Sequence, residues 1–230
     1  MTKRYPIIYC LIITTLVLAS PICAEDSTGT IHSLMRKLQG DAGFGMVYLM
    51  PQGSFNDNAG DGGRIYGRLT SRKTGVEFLS LWLTGSGSLF GKHSQIIDIE
   101  APDDPSTTIE AKREIQQYVL SLYLGLQVNS TSNRATIRPR IGTGLGFNIF
   151  ITDSRYFWGN YPTDEDRNSS EVDQVLGRWG WHSEAGVDII IKGSYGMSID
   201  LTYDQIWYID ITDGPAEFLG LGIGLVYTIR

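Results

Sequence analysis

The chain has 230 residues, of which 42% are hydrophobic and 19% charged, with 19 Lys and Arg against 25 Asp and Glu. A net charge of −6 argues against nucleic acid as a partner, since that binding needs a basic face. The only two cysteines, Cys10 and Cys23, both lie in the first 24 residues, so a chain cut after them would have no disulfide to stabilise it.

Residues 1–24 carry Lys3 and Arg4, an apolar run over 7–18, and then S-P-I-C-A ahead of Glu25 and Asp26. This is the pattern of a secretory signal cut after Ala24, and the run is shorter than the roughly 20 residues a spanning helix needs. A lipoprotein signal through Cys23 competes, but Ile22 is larger than the small residue that precedes such a cysteine. Loss of Lys3 and Arg4 leaves 206 residues with 17 bases and 25 acids, a net charge of −8. No later helical run is long enough to span a bilayer, so entry into a membrane would have to be through strands.

Residues 25–42 read as a short periplasmic segment. In it Ile31, Leu34, Met35 and Leu38 fall at helical spacing and predict one amphipathic helix, either a lid or interfacial anchor or a poorly ordered leader. From residue 43 onward the pattern turns to strands, expected near 43–50, 64–70, 76–90, 113–128, 134–151, 178–190, 195–209 and 217–230. In the first three the faces are hard to assign. Val47 and Leu49 interrupt the row of Phe44, Met46, Tyr48 and Met50, while Phe78 and Trp82 compete with Leu79, Leu81 and Leu83.

The later segments alternate cleanly. Over 118–128 every even position is apolar or aromatic, and over 137–151 an odd row running from Ile137 to Ile151 opposes Arg138, Arg140, Gly142, Gly144, Gly146 and Asn148. Over 179–189 Trp179, Trp181, Val187 and Ile189 oppose His182, Glu184, Gly186 and Asp188; over 195–203 Tyr195, Met197, Ile199, Leu201 and Tyr203 oppose Gly196, Ser198, Asp200 and Thr202. The last segment, L-G-L-G-I-G-L-V-Y-T-I-R, sets large apolar residues against glycines. Strand side chains alternate between faces, so each segment has one oily face and one small or polar face. Lipid outside and a narrow lumen inside would sort them this way.

The connections have the matching rhythm. Short turns at 71–75, 129–133 and 192–194 alternate with longer polar stretches at 51–63, 91–112, 152–178 and 210–216, as short periplasmic turns and long external loops do.

The segments R-P-R-I-G-T-G-L-G-F (138–147), E-A-G-V-D-I-I-I (184–191), Y-G-M-S-I-D-L-T-Y (195–203) and the final G-L-G-I-G-L-V-Y resemble the small outer-membrane β-barrel family of OmpA-like and opacity-type barrels. The resemblance covers roughly 118–230. It implies an all-β, eight-stranded antiparallel up-and-down transmembrane β-barrel over 43–230, inserted into the cell outer membrane of a Gram-negative bacterium by the barrel insertion machinery. That family usually ends on an aromatic residue, whereas this chain ends Tyr227, Thr228, Ile229, Arg230.

Arg138, Arg140, Glu184, Asp188 and Asp200 fall on the lumen face of neighbouring strands, where charges must pair to be tolerated. They form either a plug or the lining of a gated conduit, and an eight-stranded lumen has room for little beyond its own side chains. Trp179, Trp181, Tyr203 and Trp207 gather at one rim, and Tyr195 and Tyr227 at the other, as two aromatic girdles do. His182, Ser183 and Glu184 suggest a hydrolase, but on a strand Ser183 points away from the other two. Glycines 142, 144 and 146 lie within a strand and open no helix, so lumen space explains them better than a nucleotide loop. The acidic stretch 153–173 lacks the ligand spacing of a calcium loop.

The expected function is structural or surface interaction, in envelope integrity or adhesion, with no catalytic residue, cofactor or metal. Its partners would be outer-membrane lipid, lipopolysaccharide and a ligand at the external loops. The alternatives are a narrow passive channel, a lipid A-modifying barrel enzyme and a soluble lipocalin-like barrel.

Overall fold

Alternation sorts the side chains onto two surfaces of opposite character. On the outside lie Met46, Tyr48, Leu122, Leu124, Ile141, Leu145, Ile199, Leu201, Leu221, Ile223 and Leu225, with Leu122 56% and Leu225 65% exposed. On the inside of the same strands lie Arg138, Arg140, Glu184, Asp188, Ser198 and Asp200, all buried. An apolar band this continuous is costly in water, whereas in hydrocarbon it is the stable outer face of a strand whose backbone groups are all paired.

The computed structural model describes residues 40–229 apart from 58, 72–73, 75–77, 102–103, 130–135, 159–169 and 208–214. Its strands are β1 (Gly40–Gln52), β2 (Gly60–Ser71), β3 (Leu79–Gly91), β4 (His93–Ala101), β5 (Asp104–Asn129), β6 (Ile137–Trp158), β7 (Ser170–Lys192), β8 (Tyr195–Ile206) and β9 (Ala216–Thr228). The antiparallel order β3-β2-β1-β9-β8-β7-β6-β5 closes on itself because β3 also pairs with β5. β3 and β4 act as one stave interrupted at Lys92, pairing with 118–128 and 104–115 of β5 in turn. The result is a closed barrel of eight staves. Closure removes the unpaired edges that a sheet of this length would otherwise expose.

The first and last staves meet from Asp41 opposite Thr228 to Gln52 opposite Glu217, placing Phe44 opposite Leu225. The start of β1 and the end of β9 therefore share one end of the barrel. The tight turn joining β7 to β8 lies at the same end, and there Gly193 takes the left-handed conformation that glycine adopts without strain.

At the opposite end β5, β6 and β7 are 26, 22 and 23 residues long, about twice the 9–11 that cross a bilayer. Their surplus length pairs on beyond the ring and, with β4, forms a four-stranded extension. In it Lys112 donates to Glu114 at 2.9 Å and Lys92 lies 3.7 Å away. The hydrogen bond from Lys112 and the two ammonium charges hold the Glu114 carboxyl below the usual range.

The structure corrects several expectations. The stretch 91–112 is the β4–β5 hairpin in place of a polar loop, and β6 and β7 run on into 152–178. Both pairs lie outside the barrel wall, so neither face shows the contrast between lipid and lumen that marks a strand in sequence. β1 begins at Gly40 instead of 43, while the expected start of β3 at 76 and end of β8 at 209 lie outside the described residues. Val47, Leu49 and Trp82 point inward, leaving the outer face to Phe44, Met46, Tyr48, Leu81 and Leu83. The expected signal sequence, the helix over 31–38 and the turn at 129–133 fall wholly or largely outside the described residues.

Candidate functional site

The barrel interior is the most elaborate arrangement in the molecule. It is built from short period-two motifs, each aiming two or three polar side chains inward. On β2, R-I-Y-G-R contributes Arg64, Tyr66 and Arg68; on β6, R-P-R contributes Arg138 and Arg140. On β7, H-S-E-A-G-V-D contributes His182, Glu184 and Asp188, and on β8, S-I-D-L-T-Y-D contributes Ser198, Asp200, Thr202 and Asp204. Asp41 of β1 completes the set.

Ladder register brings the opposite charges together. Arg138 lies opposite Asp188, and Gly186 lies between Arg140 and Asp200 on the flanking strands. Arg140 spans the resulting space. Its Nη1 is 2.8 Å from Glu184 Oε1 and its Nε is 3.2 Å from Asp188 Oδ1, and it also pairs with Asp200. Arg68 reaches the same two carboxylates from the far wall, at 3.5 Å from Glu184 and 3.4 Å from Asp188. Tyr66 donates to Asp200, which also accepts from Ser198 at 3.3 Å. Toward the turn end, Arg138 lies 3.8 Å from Asp41 and donates to Thr228 at 3.0 Å.

A second group sits nearer the loop end. Arg64 pairs with Asp204 at 2.6 Å and donates to Ser88 at 3.0 Å. His182 Nδ1 is 2.7 Å from the other Asp204 oxygen, and its Nε2 is 3.9 Å from Glu184. The imidazole stacks on Tyr123 at 5.0 Å and meets Trp82 edge-on at 5.4 Å.

The inward glycines make these contacts possible. A Cβ at Gly186 would lie 2.7 Å from Asp200 Oδ1 and 2.9 Å from Arg140 Nη2. One at Gly142 would lie 2.9 Å from the Trp82 nitrogen, and one at Gly146 would collide with the Tyr123 ring. The space left by each missing side chain is filled by a larger one from a neighbouring strand.

Thus the structure joins Arg140, Glu184, Asp188 and Asp200 in one network, while Arg138, opposite Asp188 in the ladder, is held by Asp41 and Thr228 at the turn end. Sequence reading missed Asp41, Arg64, Tyr66, Arg68 and Asp204, and considered His182 only as a possible base. The signal was present, since Arg64, Tyr66 and Arg68 keep a strict period of two, as do Asp200 and Asp204.

Near the loop end the lining becomes apolar. Val47, Leu49, Phe90, Val119, Phe150, Ile206, Ala216 and Phe218 surround Phe55, which lies on a 3-10 turn (Gly53–Asp57) between β1 and β2. Phe55 meets Phe90, Phe150 and Phe218 edge-on at 5.3, 6.2 and 4.9 Å.

Among the described residues His182 is not paired with a serine. Both imidazole nitrogens of His182 face carboxylates, while the Ser183 hydroxyl is on the outer face, accepting from Trp181 Nε1 at 2.7 Å and lying 3.2 Å from the Thr143 hydroxyl.

The six aromatics expected at the rims lie on the outer surface. Trp179 packs edge-on against Phe147 at 5.7 Å and its carbonyl accepts from the Trp207 amide at 2.9 Å, with Trp181 and Tyr203 on the same half. Tyr195 and Tyr227 are cross-strand partners at the turn end, their rings 5.0 Å apart. Of the acidic stretch 153–173, residues 159–169 lie outside the described residues.

A closed eight-stave ring with an apolar exterior and a charged, packed interior is a transmembrane β-barrel. Known proteins place it no more narrowly. No family profile matches the chain, and no curated protein matches it by sequence. Among solved structures it is similar to Neisserial surface protein A, with 10% identity, 83% of this chain and 97% of that one covered, and a TM-score of 0.47. It is also similar to a major outer membrane protein from Thermus thermophilus, at 12% identity, 82% and 98% coverage and a TM-score of 0.49. A third similar structure is the attachment invasion locus protein of Yersinia pestis, at 13% identity, 82% and 99% coverage and a TM-score of 0.40.

Proposed function

We propose that this chain is an outer-membrane barrel whose work is done outside the membrane, with a structural or surface-interaction role, and whose lumen is occluded. The observation that carries the reading is the extension of β4–β7 beyond the ring. A protein that only had to span would need no strands of 22 to 26 residues. Loops and sheet held off a rigid scaffold are the usual place for recognition.

Occlusion rests on Arg140, which bridges three carboxylates across the interior, backed by Arg68 from the opposite wall. An ion could pass only by breaking several buried pairs at once. The outer aromatics support the membrane placement. From Tyr195 to Tyr203 and on to Trp207, about 26 to 40 Å of strand at a tilt near 40° spans roughly 20 to 30 Å of depth, against an apolar band of about 25 Å. Export by a signal over 1–24, contact with lipopolysaccharide and use of the barrel insertion machinery belong to the same reading.

Two measurements test it. An epitope inserted between Ala101 and Asp104 is expected to bind antibody on intact cells. Purified protein in planar bilayers is expected to give no discrete conductance steps, which separates this reading from a narrow channel. An epitope reached only after the cells are opened would overturn surface display, and regular unitary steps would overturn occlusion.

A further inference from the structure

The aromatic cluster at the loop end has an asymmetry in how its members are held. Val47 and Leu49 are on β1, Phe90 on β3, Val119 on β5, Phe150 on β6, Ile206 on β8, and Ala216 and Phe218 on β9. These walls are fixed by ladder pairing. Phe55, 4% exposed and central to three ring contacts, is not. It rides on the 3-10 turn between the last β1 pair, Gln52 with Glu217, and the first β2 pair, Gly60 with Gly91. The turn touches β1 and β9, and lifting it breaks no pair in either ladder. Gly53, which leads into it, has a φ of 57°, a conformation open to glycine at little cost.

Arg64 stands in the same belt of the wall. It lies opposite Val47 on one side and Ser88 on the other, and Ser88 in turn lies opposite Val119, whose partner is Phe150. Arg64 is 3% exposed. Its Nη1 is taken by Asp204 and its Nε by Ser88, while Nη2 has no hydrogen-bond partner among the described residues. A buried guanidinium nitrogen left unpaired is an unused donor for an anion.

We propose that the loop end of the barrel is a binding site for a small aromatic carboxylate, with Phe55 as its resident, displaceable occupant. The ring of the ligand takes the place of the Phe55 ring among Phe90, Phe150 and Phe218, and its carboxylate accepts from Arg64 Nη2. In the free protein Phe55 keeps the site closed. Burial of one phenyl ring favours the closed state roughly tenfold to a hundredfold, and apparent affinity for an outside ring falls by the same factor.

The test is fluorine NMR on purified protein in detergent micelles, with 4-fluorophenylacetate and 4-fluorobenzyl alcohol as probes. Phe55→Ala, which empties the site, is expected to bind the carboxylate saturably and at least about tenfold more tightly than wild type. It should also favour the carboxylate over the alcohol by about tenfold, as one charge-assisted bond allows. Phe55→Trp fills the site and measures what the micelle alone takes up. Equal binding to Phe55→Ala and Phe55→Trp would overturn the proposal, and no preference for the carboxylate would overturn the role of Arg64. Should Phe55→Ala lose the compact gel mobility of a folded barrel, Phe55→Cys decides. 4-Fluorophenylacetate is expected to raise the rate at which a maleimide labels this buried thiol severalfold, and an unchanged rate would overturn the proposal.

Discussion

Arg140→Met keeps an unbranched stem, shorter than that of arginine, and removes the guanidinium that contacts Glu184, Asp188 and Asp200. In the variant Glu184 and Asp188 retain Arg68, at 3.5 and 3.4 Å, and Asp200 is left with the hydroxyls of Tyr66 and Ser198. Breaking a buried pair from one side costs about 3 to 5 kcal/mol because a charge stays behind without compensation. At the lower figure the folding equilibrium falls more than about a hundredfold. Removing the charge of Asp200 as well is milder, since a buried pair roughly balances its own desolvation and Glu184 and Asp188 keep Arg68. The double variant Arg140→Met, Asp200→Asn is therefore expected to recover much of the loss. Urea unfolding in detergent, followed by tryptophan fluorescence and by compact gel mobility, measures both. A single variant within about 0.5 kcal/mol of wild type, or a double variant less stable than the single one, would refute the reasoning.

Leu122→Arg sets a charge at the middle of the outer face, where Leu122 lies opposite Gly85 and Phe147, and is expected to cost about 2 to 4 kcal/mol in a bilayer. A loss below about 0.5 kcal/mol in vesicles would mean that this face does not meet hydrocarbon. Gly186→Ala forces Asp200 or Arg140 to move and should destabilise by about 1 to 3 kcal/mol, whereas Gly67→Ala, with nothing within 4 Å of its Cβ, should be close to neutral. Urea midpoints of the two alanine variants check this, and equal effects would count against a packed lumen. In the extension, the hydrogen bond from Lys112 holds the Glu114 carboxyl low, so its contribution is present above the ordinary carboxylate range and lost as pH falls through the lowered value. Amide exchange across the β4–β5 hairpin, corrected for the intrinsic slowing of exchange by acid, should therefore quicken below the ordinary carboxylate range in wild type. In Glu114→Gln it should already be faster at neutral pH and change less on acidification.

The two halves of the barrel were unequally legible for a physical reason. From residue 118 on, most of the lumen face below the apolar loop end carries glycines, hydroxyls and charges, so the outward row of Leu122, Leu124, Ile141 and Ile199 stands out against it. In β1 and β3 the inward face carries Val47, Leu49, Trp82 and Phe90, which seal the loop end and pack around His182. There both rows are apolar, and alternation, the one strong local signal, vanishes. β2 was missed as a source of charge because Arg64 and Arg68 flank Tyr66 and Gly67 in a short segment with few outward leucines. The extension was unreadable for the opposite reason, since both its faces lie beyond the lipid and neither need be apolar.

The glycine row of β9 now has a specific cause. A Cβ at Gly220 would meet Val47 Cγ1 at 2.5 Å, one at Gly222 would meet Val47 Cγ2 at 2.9 Å, and one at Gly224 would meet both Ser198 Oγ and the Tyr66 hydroxyl at 2.8 Å. The last of these matters most for the interior. Tyr66 crosses from β2, past β1 and β9, to reach Asp200 on β8, and it can do so because both strands present glycine there, Gly45 and Gly224. A filled β9 would hold Tyr66 away from Asp200, leaving that carboxylate with Arg140 and Ser198. The closing strand thus acts by what it omits. Its glycines let the first two staves pack against the eighth and link ring closure to the satisfaction of a buried charge. Strand closure and lumen occlusion therefore depend on the same three positions, and a substitution chosen to widen the lumen at β9 would also weaken the seam that holds the barrel shut.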